Sequence, residues 1–331
     1  MRPTTVLLTG AGGAPIPFLI ECLRKRGYRV LVADMDPMAG GLLLADAGYV
    51  IPAGLDPAFL PVIRGICREQ KVDVLIPLVD EELACAITLE SPSLKVLTPR
   101  LAFIELVLDK FQLARALSAA KLPAPATFMA KDGPGHLPYP LVLKPRVGRG
   151  SRGLHILNDP SEWENACRHL PSLDSYIIQE FIQGPEYTVS VMMWRDGVVQ
   201  AVVPKLILDK RGITRQAVTQ KVAAIEQLAM DVQNRFRADG PFNMQLRICN
   251  RTGKPTIFEI NPRFSTTVTL THAAGVDEVG LLVEQAVGRR ASEVVPWQAD
   301  VRLIRSTKDI FMNKAEWVIR NIPDVACVPP R

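Results

Sequence analysis

Gln245, Glu259 and Asn261 have residue types and a spacing suited to chemistry. Glu259 and Asn261 stand two apart in the run Thr256-Ile257-Phe258-Glu259-Ile260-Asn261-Pro262-Arg263, so in a strand they project from one face. Phe242–Ile248 and Thr256–Ile260 read as a hairpin turning around Thr252-Gly253, which brings Gln245 across from them. Three oxygen-bearing side chains then converge. The bland alternative is a polar sheet face in water. The apolar neighbours Ile257, Phe258 and Ile260 weigh against it, because buried polar groups need partners. Mg2+ is such a partner: a hard cation, it takes oxygen ligands and completes its shell with water and phosphate oxygens.

A second cluster is cationic. The strand Pro140–Arg146 delivers Lys144 into the stretch Val147-Gly148-Arg149-Gly150-Ser151-Arg152-Gly153. Glycines permit a concave row of backbone N–H groups that holds oxyanions, and Arg146, Arg149 and Arg152 form the densest basic group in the chain. No G-x-x-x-x-G-K-[ST] run occurs and the loop leads into a strand, so this is not a Walker loop. A third element, Gln179-Glu180-Phe181-Ile182-Gln183-Gly184-Pro185-Glu186, is an edge strand, a turn and a carboxylate. Its main chain can hydrogen-bond a purine, and Glu186 can accept two ribose hydroxyls. By itself it is an ordinary hairpin.

Near the N-terminus, Thr9-Gly10-Ala11-Gly12-Gly13-Ala14 followed by Asp34 approximates a dinucleotide fingerprint with imperfect spacing. A groove receiving a small substrate at Gly12 and Gly13 is the better use of this turn, since open α/β sheets bind ligands at the carboxyl ends of their strands. Asp80, Glu81 and Glu82 follow the strand Val72–Pro77 and either bind a substrate amino group or complement a helix dipole. The histidines His136, His155, His169 and His272 follow no metal or triad spacing.

The elements that must position these groups change style along the chain. In the first hundred residues strands at Thr5–Thr9, Tyr28–Ala33, Ala47–Ile51, Val72–Pro77 and Leu94–Leu97 alternate with helices at Pro15–Arg26, Pro57–Gln70 and Asp80–Leu89. This order predicts a doubly wound parallel sheet covered on both faces. A helix over Lys110–Lys121 follows, then an α+β region of antiparallel pairs: Leu154–Leu157, Tyr176–Ile182, Glu186–Trp194 and Val198–Leu208 as strands, and Ser161–Leu170, Arg215–Ala238 and Val276–Val287 as helices. The expected domains are 1–105, 106–185 carrying the Gly-rich loop as a lid, and 186–331 carrying the metal site and a small tail.

Composition narrows the function classes. The 331 residues are 48% hydrophobic and 22% charged, which excludes intrinsic disorder. Aromatics are only 6% and the net charge of +5 shows no basic stripe, so neither a nucleic-acid platform nor a nucleic-acid partner is expected. The apolar Val6-Leu7-Leu8 is too short for a secretory segment, and no unbroken apolar run reaches membrane-spanning length. Six scattered cysteines without a CxxC pair read as reduced thiols of a cytoplasmic protein.

Taken together, Lys110 opening a helix, Lys144 before the Gly-rich loop, the Gln179–Glu186 hinge, and Gln245 with Glu259-Ile260-Asn261-Pro262-Arg263 resemble the ATP-grasp superfamily, in particular ligases related to the carbamoyl-phosphate synthase large subunit. The resemblance covers roughly residues 1–290 and implies an ATP-dependent, ADP-forming carboxylate–amine or carboxylate–ammonia ligase with an acyl-phosphate intermediate. It implies ATP contacts from Lys110, Lys144, Gly148, Gly150, Ser151 and Gly153, an adenine edge at Glu180, Phe181 and Ile182, and the ribose on Glu186. It also implies two Mg2+ ions, with Mn2+ as an alternative, on Gln245, Glu259 and Asn261. Arg263 would steady the transferred phosphoryl group, assisted by Lys205 or Arg211. Where related enzymes often carry arginine this chain has Lys110 and Lys144, which keep the charge and lose bidentate geometry. Small-molecule substrates, no membrane partner and a homodimer complete the expectation. The competing classes are a catalytically silent ATP-binding module of a larger synthase, and a nicotinamide oxidoreductase, which leaves Gln245, Glu259 and Asn261 unexplained.

Overall fold

The computed structural model describes residues 2–150, 152–170, 172–307, 309 and 319–320. The described residues fall into two compact units. One gathers those of 1–98, 266–293 and 306–331, the other those of 99–265 and 294–305.

In the first unit, β1 (Thr5–Thr9) is a five-residue run buried at every position, as a strand covered on both faces requires. With β2 (Arg29–Asp34), β3 (Ala47–Val50), β4 (Val74–Ile76) and β5 (Lys95–Val96) it forms a parallel sheet in the order β3-β2-β1-β4-β5, and Ile319–Arg320 extends the sheet beside β3. The helix Ile16–Lys25 buries Ile16, Leu19, Ile20 and Leu23, the stripe its spacing predicts. Leu7, Leu31, Phe59, Ile63, Leu75 and Val96 belong to one core. The chain returns to this unit with helices at Val268–Ala273 and Glu278–Ala286. There Arg26 reaches Asp277 at 2.6 Å through Nε and Glu284 at 2.5 Å through Nη1.

The second unit holds two antiparallel sheets. In the smaller, β6 (Thr127–Met129), β7 (Leu141–Pro145), β8 (His155–Leu157) and β9 (Tyr176–Glu180) run in the order β6-β9-β7-β8. In the larger, β10 (Glu186–Met193), β11 (Val199–Arg211), β12 (Ile213–Thr219), β13 (Phe242–Ile248), β14 (Pro255–Asn261) and β15 (Arg302–Ile304) run in the order β14-β13-β10-β11-β12-β15. One face of this sheet is apolar: Tyr187, Val189, Val191, Met244, Leu246 and Ile260 pack with Ile225, Leu228 and Val232 of the helix Ala223–Phe236. The alternate positions Glu186, Thr188, Ser190, Asn243 and Gln245 carry the polar face.

The expectation of a helix over Arg215–Ala238 is corrected: Ile213–Thr219 is β12, and the helix starts at Ala223. Ile213, Thr214, Val218 and Thr219 are β-branched, and Thr214, Ala217 and Thr219 are buried, so this segment packs as a strand against β11. A helix at Leu101–Leu108 and strand β6 were not expected from the sequence. Asp159, which precedes Pro160, caps the helix Pro160–His169 by accepting from Glu162 N–H at 3.0 Å, as its position suggests. Of the tail from 296 onward, Arg302–Ile304 adds an edge strand to β12. Cys22, Cys67, Cys85, Cys167 and Cys249 are free thiols, and Cys327 lies outside the described residues. No helix among the described residues is long and apolar enough to cross a membrane.

Candidate functional site

The polar face of the larger sheet and strands β7 to β9 of the smaller border one cavity of about 480 Å3 within the second unit. Gln245 of β13 stands directly across from Glu259 of β14, and both line it. The register shifts beside this pair: Leu246 faces Ile257, so Phe258 is an extra residue on β14. Such a bulge re-aims side chains. Here it lets two consecutive residues, Phe258 and Glu259, both border the cavity. Asn261 lies two residues beyond Glu259 and is buried. Its Nδ2 donates to Asn243 Oδ1 at 3.3 Å, and Asn243 Nδ2 in turn donates to Arg263 O at 2.9 Å. Asn243 thus holds the Asn261 amide in place.

Two lysines face this carboxylate. Lys110, the first residue of the helix Lys110–Ala119, is buried; its Nζ donates to Gly148 O at 2.6 Å and lies 3.8 Å from Glu259 Oε1. Lys144 on β7 is also buried, with Nζ donating to Phe258 O at 3.2 Å and resting 5.5 Å from the Phe258 ring centroid. Burial pushes the Lys144 ammonium down to about 8 and the Lys110 and Lys210 charges add to the fall, against the opposing pull of Glu259.

The helix carrying Lys110 is fixed by Asp109, whose carboxylate accepts from Phe111 and Gln112 N–H at 3.0 and 3.1 Å. The same carboxylate takes Arg146 Nε and Nη2 at 2.8 and 2.6 Å, tying the helix to the root of the Gly-rich loop. Burial pushes the Asp109 carboxyl up, but the Arg146 hydrogen bonds and the two N–H donors outweigh it and hold the group below the usual carboxylate value. In the loop itself Gly148, Gly150 and Gly153 take φ of 137°, 68° and 68°, backbone that favours glycine. Gly148, Arg149 and Arg152 line the cavity, while Ser151 lies outside the described residues.

The opposite wall is the connection from β9 to β10. Glu180, Phe181 and Ile182 edge the cavity alongside Val142, Leu154 and Ile156. The Arg247 guanidinium lies 5.0 Å from the Phe181 ring centroid. Gly184, at φ 146°, passes so close to β13 that a Cβ there would sit 1.9 Å from Ile248 O. Glu186 lines the cavity with its carboxylate between Lys210 Nζ and Arg247 Nη2, each at 2.8 Å.

Not every expected residue joins this group. Arg263 and Lys205 are absent from the described cavity lining. Arg263 directly follows β14, with its N–H donating to Asn261 O at 2.9 Å. Lys205 lies on the polar face, in the cross-strand row Glu259, Gln245, Thr188, Lys205, but is fully buried and donates to Ser190 Oγ at 2.7 Å. Gly12, Gly13, Asp80 and Glu81 belong to the first unit. There Gly12 N–H donates to Asp34 Oδ2 at 2.8 Å and Asp36 N–H to Asp34 Oδ1 at 2.9 Å, so this aspartate serves its own turn. Asp80 opens the helix Asp80–Ala86 and is buried. His272 packs edge-on against Phe18 and lies 3.4 Å from Asp277. Asp109, Asn243, Lys210 and Arg247 were missed from the sequence; for Asp109 the signal was there, an aspartate immediately before a helix.

Comparison with known proteins fits this arrangement. A family model described as ATP-grasp in the biosynthetic pathway with Ter operon matches residues 172–309, and the PylC-like N-terminal domain model matches residues 6–94. The carbamoyl phosphate synthase large chain of Bifidobacterium animalis subsp. lactis is 24% identical over 336 residues, covering 92% of this chain and 29% of that one. That of Pseudomonas aeruginosa is 24% identical over 366 residues, covering 97% and 33%. This chain therefore spans about a third of the length of these curated relatives. Among solved structures, the L-amino acid ligase from Bacillus licheniformis matches with TM-score 0.68 at 20% identity, over 87% of this chain and 75% of that one. The N5-carboxyaminoimidazole synthetase from Staphylococcus aureus, complexed with ADP, matches with TM-score 0.74 at 15% identity, over 90% and 81%. A parallel sheet in one unit, two antiparallel sheets around a lysine- and glycine-bordered cavity in the other, and these matches agree: residues 172–309 match an ATP-grasp family model, and the chain is similar to the carbamoyl phosphate synthase large chain.

Proposed function

We propose that the chain is an ATP-dependent, ADP-forming ligase that joins a small carboxylate to an amine or ammonia through an acyl phosphate. The observation that carries this reading is the Gln245–Glu259 pair, turned into a cavity that Lys110, Lys144 and the Gly-rich loop also border. A carboxylate is a poor nucleophile and the polyphosphate it must attack is an anion, so charge neutralisation is the central requirement. Lys110, Lys144 and the loop backbone at Gly148, Gly150 and Gly153 supply it around the phosphates. Glu180 to Ile182 offer main-chain partners to the adenine edge, and Glu186 accepts from the ribose.

The donor set at the far end fits Mg2+: an amide oxygen of Gln245, the Glu259 carboxylate and the Asn261 amide, whose nitrogen is committed to Asn243, are all hard oxygen ligands. These residues would hold two ions, Mg2+ or in its place Mn2+. Bound there, the metal supplies positive charge to the phosphates and orients the terminal one. The substrate carboxylate oxygen attacks the γ-phosphorus and ADP leaves. The amine then attacks the acyl carbon, losing a proton as phosphate departs. Arg263, next to the Asn261 end of β14, steadies the transferred group, and Lys205 acts from its buried place on the polar face. Closure of the Gly-rich loop keeps water from the acyl phosphate. Gly12, Gly13, Asp80 and Glu81 of the first unit are the candidate substrate contacts. The free cysteines fit a reducing, cytoplasmic setting, and a homodimer is the expected assembly.

The test is ADP and phosphate release from ATP and Mg2+ against libraries of carboxylates and amines, with hydroxylamine to trap the acyl phosphate. ADP formation requiring both substrates, and a hydroxamate when the amine is withheld, are expected. AMP formation would overturn the reaction class. ATP binding without turnover on any pair would favour the silent binding module.

A further inference from the structure

Glu186 is held from two sides. Lys210 Nζ donates to its Oε1 and Arg247 Nη2 to its Oε2, each at 2.8 Å, with the three side chains between 15 and 29% exposed. A carboxylate offers about four lone-pair sites, two on each oxygen. One on each is taken by a cation, which leaves one on each oxygen. Two neighbouring acceptor sites at fixed spacing match a ligand with two adjacent hydroxyl donors.

Lys210 is placed to do this by an irregularity. β11 slips register against β12 between Ile207 and Asp209 and again between Asp209 and Lys210. Breaks of this kind turn a side chain away from regular alternation. Lys210 lines the cavity, as does Gly212 at the hairpin tip, and its Nζ also lies 3.4 Å from Gln245 Oε1. One ammonium therefore touches both the candidate diol acceptor and a candidate metal ligand.

We propose that Lys210, together with Arg247, is a positioning residue that locks the Glu186 carboxylate in the orientation that accepts a vicinal diol, so that ribose discrimination depends on the tip of the β11–β12 hairpin. The inference rests on the reading of the cavity as a nucleotide site. Neither cation need contact the diol; each spends one lone pair of Glu186 and fixes the direction of the other.

Isothermal titration of the whole chain with Mg-ATP and with Mg-2′,3′-dideoxy-ATP tests it, in the wild type, Lys210→Met, Lys210→Arg and Arg247→Met. Hydrogen bonds to a charged group are worth enough for the wild type to prefer ATP by about 10-fold or more. In Lys210→Met and Arg247→Met that preference should fall to within about 3-fold because ATP alone weakens, and Lys210→Arg should restore part of it. Thermal unfolding of each variant checks that it is folded. If both nucleotides weaken equally and the preference persists, Lys210 is merely structural and the inference is overturned while the nucleotide reading stands. If the wild type binds both nucleotides alike, Glu186 does not read the diol and the inference is overturned in the same way. If the wild type binds neither nucleotide, the underlying reading fails and takes the inference with it.

Discussion

Lys144 Nζ donates to the main-chain oxygen of Phe258 at 3.2 Å, joining β7 of the smaller antiparallel sheet to the bulged position of β14 in the larger. The ammonium is buried, and burial first, then Lys110 and Lys210, brings its pKa down from 10.5 to about 8. The folded value lies below the unfolded one, so between pH 8 and 10.5 the unfolded chain binds more protons at this site. The cost of burying the charge is fully present below pH 8 and is relieved as pH rises through that window.

Nucleotide binding should show the opposite trend. Phosphates favour the ammonium, so above pH 8 binding must take up a proton, and ATP affinity should fall by at most about tenfold per unit. Calorimetry at pH 8.5 in buffers of different ionisation enthalpy measures that uptake, and Lys144→Met should abolish it.

Glu259→Gln keeps the shape and removes the charge facing Lys110. Turnover, read as ADP release, should fall by about 100-fold or more, since phosphoryl transfer depends on the ion that this carboxylate would hold. Activity within about threefold of wild type would remove Glu259 from the metal assignment.

Asp109→Ala removes a helix cap and the partner of Arg146 together. The capping loss alone is about 1 kcal/mol, visible as a lower Tm. Because Lys110 is the next residue, the KM for ATP should rise more than kcat falls.

Gly184→Ala places a methyl group 1.9 Å from Ile248 O at a φ of 146°, a backbone clash that no rotamer relieves. A loss of about 2 kcal/mol or more in urea unfolding is expected. A near-neutral result would mean that the strand junction moves readily.

Glu259 and Asn261, two apart and across a hairpin from Gln245, made the polar face at the end of the larger sheet readable from the sequence. What escaped is what breaks period two. The extra residue at Phe258 puts a ring and a carbonyl under Lys144, and the double slip in β11 turns Lys210 toward Glu186. Arg215 and Gln216 suit a helix surface, which masked the β-branched neighbours that pack β12 on β11. Contacts such as Arg26 with Asp277 join residues far apart in sequence, and no local pattern announces them.

The first unit draws its helices from opposite stretches of the polypeptide, and this bears on how the protein is born. When the ribosome has released Ile16–Lys25, the segment bearing Asp277 and Glu284 has not yet been translated, so Arg26 and Phe18 await their partners while the entire intervening region emerges. A fragment cut at residue 98 would keep β1 to β5 yet lack the Ile319–Arg320 strand and the buried Val279, Leu282 and Val283 of Glu278–Ala286. Completion of this unit is thereby deferred until residues 268–286 have emerged.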